Sequence, residues 1–353
     1  MSTGSPVAIL GLGARTPLGL DAPASAAAVR AAISAIAAHP YFIDKAGEPM
    51  AVARDARLDV DAPITERMAV LGEAALRESL APLTPGGGTA TPLPVFLGLP
   101  EAQPGVPPNL GETLTGRLAA LAGLPVPLGP VTPLAQGHAA GLMALQQAAR
   151  AIQAGAAELC LAGGIDSYLE AERLEWLDAE EQLMSAANRS GFPPGEGASF
   201  CLIASPLAAQ RLRLPVLARL VAVATALEPN RMKTETVCIG EGLTQAFRAV
   251  IEHLDLPDER IDAMVCDLNG ERYRNEEFVF TLLRTQRAFV DTGNFSHPAD
   301  GWGDVAAASG PLFAVLAVTA GIKGYAAGPR HLLWASSEGG ARSAALLEVS
   351  PGS

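Results

Sequence analysis

Apolar and polar positions along this chain switch between the periods of strands and helices, and the switches mark out its elements. Val7-Ala8-Ile9-Leu10 is a continuous apolar run broken by Gly11-Leu12-Gly13, the pattern of a buried strand entering a turn. Helix-compatible sequence follows over 24–37. Met68, Leu71, Ala74 and Leu76 recur at helical intervals within 65–80 and predict an amphipathic helix. Residues 82–92, rich in Gly, Thr and Pro, predict a loop, and Val95 to Leu99 a short buried strand. A Pro/Gly loop over 100–112 and a helix over 113–122 come next.

Leu142, Leu145, Ala148, Ala149 and Ile152 line one face of an Ala-rich helix that runs to Gly155. The strand-like run Glu158 to Leu161 then ends in Gly163-Gly164. Ser199 to Ile203 reads as a buried strand, and Pro206 to Leu214 as a crossover. A long strand over 216–227, a helix over 236–254 and a strand over 261–267 follow. Glu271, Arg272, Arg274, Glu276 and Glu277 suggest a solvated helix start of mixed charge. Residues 294–310 read as a loop, 311–320 as an apolar helix, and 331–335 and 344–349 as two strands about a Glu338-Gly339-Gly340 turn. This alternation predicts an α/β protein with a mainly parallel sheet.

Composition sharpens this picture. Hydrophobic residues make up 49% and charged residues 18% of the 353, so much of the chain is buried and a sizeable interface is expected besides. Aromatics are 5%, which leaves Ala, Leu and Val to build the core. A formal charge of −12 opposes binding to nucleic acid or to an anionic membrane surface. Arg211, Arg213 and Arg219 form one sparse basic patch for an acidic carrier protein. Cys160, Cys201, Cys238 and Cys266 stand far apart in apolar settings, the pattern of free thiols in a reducing cytoplasm, and no pair has metal-ligand spacing. Met1 to Pro6 lacks the features of a signal peptide, and no apolar run is long enough to span a membrane. Gly11-x-Gly13 lacks the third glycine of a dinucleotide fingerprint. His297 lies near Asp300 and Asp304 but reads as a solvated loop residue rather than a metal ligand. No cofactor or metal is expected.

The residues His138-Ala139-Ala140-Gly141-Leu142 and Ala162-Gly163-Gly164-Ile165-Asp166 together resemble the nucleophile-elbow helix and following strand of the thiolase superfamily, most closely its β-ketoacyl synthase branch. Gly11-x-Gly13 before Thr16-Pro17-Leu18-Gly19, and Phe192 before Gly195-Glu196-Gly197-Ala198, resemble two more signatures of that branch. The likeness runs over roughly residues 6–350 and is weakest at 40–60 and 81–112. It implies a five-layer αβαβα fold of two duplicated halves, 1–205 and 206–353, in one compact unit.

The family's chemistry uses a nucleophilic Cys at a helix N-terminus, where the dipole and free N–H groups stabilise thiolate and oxyanion. Two further polar residues, commonly His, act on the malonyl thioester. In this chain His138 occupies the nucleophile position, 24 residues before Ala162. Asn269, before Gly270, and Asp304, within Gly303 to Gly310, match the positions of the two His. An alternative alignment puts Leu134 at the nucleophile position, so the Cys is absent either way. Ser336, Glu338, Gly339 and Gly340 match the substrate-side turn, with Glu338 where the family has an apolar gate.

If the fold holds, His138, Asn269 and Asp304 converge in one place. The resemblance then implies a degenerate, non-condensing homologue acting as a partner or scaffold, in the manner of a chain-length factor or an effector-loading adaptor for a secretion system. Its partners would be a second copy, a related ketosynthase-like subunit joined near Val131 to Gly137, or an acyl carrier protein. The alternative is an acyltransferase or thioester hydrolase that uses His138 and Asp304 on acyl-carrier or coenzyme A thioesters. An enzyme needs an open tunnel to His138, whereas a scaffold has that space filled.

Overall fold

The computed structural model describes residues 5–84, 91–231, 234 and 236–350. Part of the loop expected over 82–92 lies outside the described residues. In chain order the elements are β1 (Val7–Arg15), α1 (Ala22–Arg30), β2 (Ile36–Ile43), β3 (Pro49–Ala53), α2 (Ile64–Ser79), β4 (Leu93–Leu99), α3 (Leu110–Ala119) and β5 (Leu128–Ala135). Then come α4 (Ala140–Gln153), β6 (Leu159–Ser167), α5 (Ala171–Ala179), β7 (Glu196–Ala204) and α6 (Pro206–Leu212). The remainder is β8 (Ala218–Leu227), α7 (Glu241–Ile251), β9 (Ala263–Cys266), α8 (Arg272–Thr285), β10 (Phe295–Ser296), α9 (Ala299–Trp302), α10 (Ser309–Ile322), β11 (Arg330–Ser336) and β12 (Ala341–Val349).

Strands β2 and β3 form a separate hairpin, and the rest make one sheet in the order β10-β9-β11-β12-β8-β1-β7-β6-β4-β5. Numbered within each set of five, the first set (β1, β4, β5, β6, β7) and the second (β8 to β12) have the same spatial order: third, second, fourth, fifth, first. The directions match as well. The third, second and fourth strands pair in parallel, and the fifth runs antiparallel to its neighbours, in both sets. The sets join where β1 and β8 pair over Val7 to Ile9. The duplication is a repeat of topology.

Alternate residues of each inner strand pack in opposite directions, as the two-residue period of a strand requires. Cys160, Ala162, Cys201, Ile203, Leu333, Ala335, Ala345 and Leu347 face a central layer built on α4 and α10. Leu161, Phe200 and Leu202 face outward onto α2 and α3. Leu332, Trp334, Ala344 and Leu346 face outward onto α7. Helix, sheet, helix, sheet, helix is thus the layering, the five-layer αβαβα arrangement.

Two local expectations are corrected. The helix expected over 24–37 starts earlier, because Asp21 caps the Ala24 N–H and Pro23 occupies the first turn. It also ends earlier, at Arg30, where Ala32 turns to φ +53°, and the chain continues as β2. The loop expected over 294–310 contains β10 and α9, too short to carry a hydrophobic period.

The N-termini of α4 and α10 meet at the centre. A Cβ on Gly164 would lie 2.0 Å, and one on Gly141 2.6 Å, from the carbonyl oxygen of Ala307, so this oxygen fits only because both positions lack a side chain. Gly164→Ala is expected to destabilise by about 1–3 kcal/mol through overpacking. Gly116→Ala, on the exposed side of α3 with open space around it, should stabilise by about 0.5–1 kcal/mol. Denaturant midpoints compare the two, and equal midpoints would contradict the close approach at Ala307.

Candidate functional site

Each half sends one helix N-terminus to the centre. On one side, β5 ends at Ala135, Gly137 turns at φ +63°, and a single 3-10 turn over Gly137–Ala139 leads into α4. A Cβ on Gly137 would come within 3.0 Å of the Glu101 side chain, so glycine serves both the backbone angle and the space. This turn places His138 inside the protein. On the other side, the loop after α9 carries Asp304 into the same space, and Asn269 enters from the segment after β9.

The three residues meet. His138 Nε2 lies 2.9 Å from both Asp304 oxygens, and Asn269 Nδ2 donates to Asp304 Oδ2 at 2.6 Å. The Ala306 N–H donates to Asp304 Oδ1 at 2.8 Å. All three side chains are buried. Burial disfavours the charged imidazole, but the charge and hydrogen bond of Asp304 outweigh it and hold His138 above its ordinary value of 6.5. Burial also works against the Asp304 carboxylate. His138, Arg274 and Asn269 together override it and hold the group well below the usual carboxylate range. Both shifts favour the imidazolium–carboxylate form of the pair.

Arg274 sits against this pair, with its Nη2 3.3 Å from His138 Nε2. A protonated Nε2 offers no lone pair to a donor, so this is a contact of like charges, and it opposes the rise in the His138 value. Arg274 is held by Asp267 at 2.8 Å, Glu271 at 3.0 Å and the Ser336 carbonyl at 2.6 Å. The solvated helix start expected at 271–277 holds for Arg272 and Glu276, which pair on the surface, but not for Glu271, Arg274 and Glu277. Arg274 and Glu277 are completely buried. The readable signal was positional, since Arg274, Phe278, Thr281 and Thr285 share the buried face of α8.

The substrate-side turn closes over this cluster. Ser336 gives its carbonyl to Arg274 and its N–H to Asp267 at 2.7 Å. Glu338 accepts from Gln103 at 3.1 Å and from Gln182 at 2.8 Å. Gly339 donates its N–H to Glu101, whose carboxyl is raised by burial, and Gly340 supplies a φ of +108°. Ser337 accepts from the Ala139 N–H at 2.8 Å and donates to the Gln136 carbonyl at 2.5 Å. A helix-terminal donor of the kind that stabilises an oxyanion is thereby already engaged. Arg274, Asp267, Glu271, Gln182 and Glu101 were not identified from sequence as part of this site.

A cavity lined by Asp267, Trp302, Asp304 and Phe313 measures about 10 Å³, room for about one water. Trp302 is buried, as a packing residue should be. His297 pairs with Asp300 at 3.1 Å on the surface. The sparse basic patch is also corrected: Arg211 pairs with Glu158 at 2.6 Å and Arg219 with Glu348 at 3.6 Å, which neutralises two of its three charges. All four cysteines are free, and no described helix is long and apolar enough to cross a membrane.

Residues 100–209, which include His138, match the family model of the β-ketoacyl synthase N-terminal domain. No curated protein matches the chain. Among solved structures, the ishigamide ketosynthase/chain length factor is similar with 22% identity and a TM-score of 0.70, over 98% of this chain and 100% of that one. A type II polyketide synthase acyl-carrier protein in complex with its ketosynthase bound to the hexaketide gives 15% identity and a TM-score of 0.78, over 98% and 100%. The ketosynthase from module 6 of the bacillaene synthase from Bacillus subtilis 168 gives 15% and 0.76, over 98% and 72%. At these identities the likeness is one of fold: the chain has the thiolase-like fold of the ketosynthases.

The ion pair fixes a pH dependence. His138, with its value raised, contributes stability in full below its unfolded value of about 6.5, and this is lost as pH rises through the higher folded value. Asp304, with its value lowered, contributes above about 3.9, and this is lost as pH falls through the folded value. Stability from the pair is therefore greatest between about 3.9 and about 6.5, and it declines beyond these limits toward the two folded values. Asp304→Asn should cost about 3–5 kcal/mol near neutrality and flatten the alkaline limb of a urea-midpoint profile. A wild-type profile with no loss on that limb would show His138 neutral and this charge assignment wrong.

Proposed function

We propose that this chain is a non-condensing partner subunit of a ketosynthase-like assembly, comparable in role to a chain-length factor. The observation that carries this reading is the state of His138. A nucleophile or general base needs a lone pair on a nitrogen that substrate can reach, and His138 is buried with its Nε2 turned to Asp304 at 2.9 Å. The Ala139 N–H is capped by Ser337, and the adjoining cavity holds about 10 Å³. These features support a filled site rather than an acyl tunnel.

The partner would pair along β5. This strand lies at the sheet edge, bonded only to β4, and leads directly into the turn that carries His138. Its half-exposed Val131 and Leu134 would be covered by a related subunit, with an acyl carrier protein visiting the pair. Two of the solved relatives are described in those terms, one as a ketosynthase/chain length factor and one as an acyl-carrier protein in complex with its ketosynthase. The free thiols are in keeping with a reducing cytoplasm.

Affinity purification from the native cell under mild conditions, with intact-mass analysis of the chain, tests the reading. A stoichiometric second protein and an unmodified chain are expected, also after incubation with an acyl-carrier thioester. An acyl adduct on His138, or turnover lost in His138→Ala with the fold retained, would overturn it in favour of acyl transfer or hydrolysis. Sedimentation as a monomer alone at micromolar concentration, with no partner captured, would overturn it as well.

A further inference from the structure

Apart from the central cluster, one group of ligand-type side chains converges among the described residues of the second half. Glu228 follows β8, Cys238 precedes α7, and Glu277 lies in α8. One ligand atom from each lies within 4.8 Å of the other two. Sequence reading missed this group because its members stand far apart along the chain and no cysteine pair is involved.

The chemistry around it is unbalanced. Both carboxylates are buried. Glu277 Oε1 accepts from Arg342 at 2.5 Å, but Glu277 Oε2 is buried with no hydrogen-bond partner. An orphaned carboxylate oxygen in the interior carries a large desolvation cost. Burial, and then the charge of Glu277, push the Cys238 thiol up to about 11. Burial raises Glu228 too, with Glu277 contributing. Two carboxyl side chains and a thiol thus face each other, with Arg342 bonded to Glu277.

We propose that Glu228, Cys238 and Glu277 form a binding site for a zinc-class divalent cation. Thiolate and carboxylate together suit Zn²⁺, which takes tetrahedral S and O ligands and leaves a fourth position to water when the protein supplies three. Each ligand already has a supporting contact. The Gly242 N–H donates to Glu228 at 2.8 Å, a Gly240 backbone contact favours the Cys238 thiolate, and Arg342 orients Glu277. Glu277 Oε2 would gain the partner it lacks. Cys238 is half-buried, which gives the ion a route in. Binding replaces the thiol proton by the metal, so that each bound cation forms one S–metal bond and releases one proton.

The site also touches the central turn. Arg342 bonds Glu277 and, through Nη1, the Ser337 carbonyl at 2.6 Å, and Ser337 holds the start of α4.

Titration of the full-length chain with Cd²⁺ and Co²⁺, followed by metal–thiolate charge-transfer absorbance and by proton release, tests the proposal. One equivalent and one proton are expected, with Zn²⁺ displacing the probe. Cys238→Ser should abolish the charge-transfer band while circular dichroism stays unchanged. Glu277→Gln should weaken the site by about tenfold or more. No band in the wild type, or a band retained in a folded Cys238→Ser, would overturn the assignment. The metal readout is independent of any partner, so its failure leaves the scaffold reading standing.

Discussion

A charge can remain inside a protein only if another charge or a set of hydrogen bonds meets it there, and that requirement organises this molecule. Among the described residues, four arginines and His138 are buried each against a carboxylate: His138 with Asp304, Arg67 with Glu196, Arg173 with Asp166, Arg274 with Asp267 and Glu271, and Arg342 with Glu277. His138 and Asp304 come from opposite halves of the duplicated fold. The pair therefore closes only when both helix N-termini are docked, and the Ala307 N–H, which donates to Asp166 at 3.2 Å, depends on the same docking. Buried pairs of this kind add little net stability against apolar replacements. What they impose here is arrangement, because an incompletely docked half would leave charges unmet.

That arrangement also occupies the polar groups of the site with one another. A helix N-terminus with unsatisfied N–H groups is a ready anion site. In this chain the α4 terminus is closed by Ser337, the His138 nitrogen by Asp304, and the Asp304 oxygens by His138, Asn269 and Ala306. Gln182 and Gln103 tie Glu338 across the top. A bound thioester would have to displace these internal contacts, each already near its preferred distance. Ion pair and cap together make a stopper in the place where the fold offers a reaction centre.

Much of the fold was legible in the sequence, for identifiable reasons. Gly141 and Gly164 stand where backbones meet, and Gly163 lies against the Phe200 ring, each with no room for a Cβ, and such positions can be read directly from residue identity. The convergence of His138, Asn269 and Asp304 followed from the same positional likeness. The repeat of the two halves was legible only through that likeness and not as a repeat of residues, because it resides in strand order and direction, which different apolar residues satisfy equally well. Arg274 was misread because Glu271, Arg272, Arg274, Glu276 and Glu277 form a dense run of charge, and such runs are usually solvated. The face shared with Phe278 and Thr281 was the better guide. Composition says how many charges a segment has, while the helical period says which of them go inside.

The same reasoning shows why the central substitutions belong together. A histidine alone at position 138 would be a buried base facing Arg274, and repulsion would keep it neutral and available. Asp304 changes that, since its carboxylate outweighs both burial and Arg274 and fixes the proton on the imidazole. Asp304 in turn could not stay ionised inside the protein without His138 and the Asn269 amide. Asn269 holds its place by donating also to Glu271 at 3.1 Å, and Glu271 holds Arg274. No member of this ring is a neutral replacement for a reactive group in an otherwise intact site. Each favours the charge state of the next, so the centre holds together as one bonded ring.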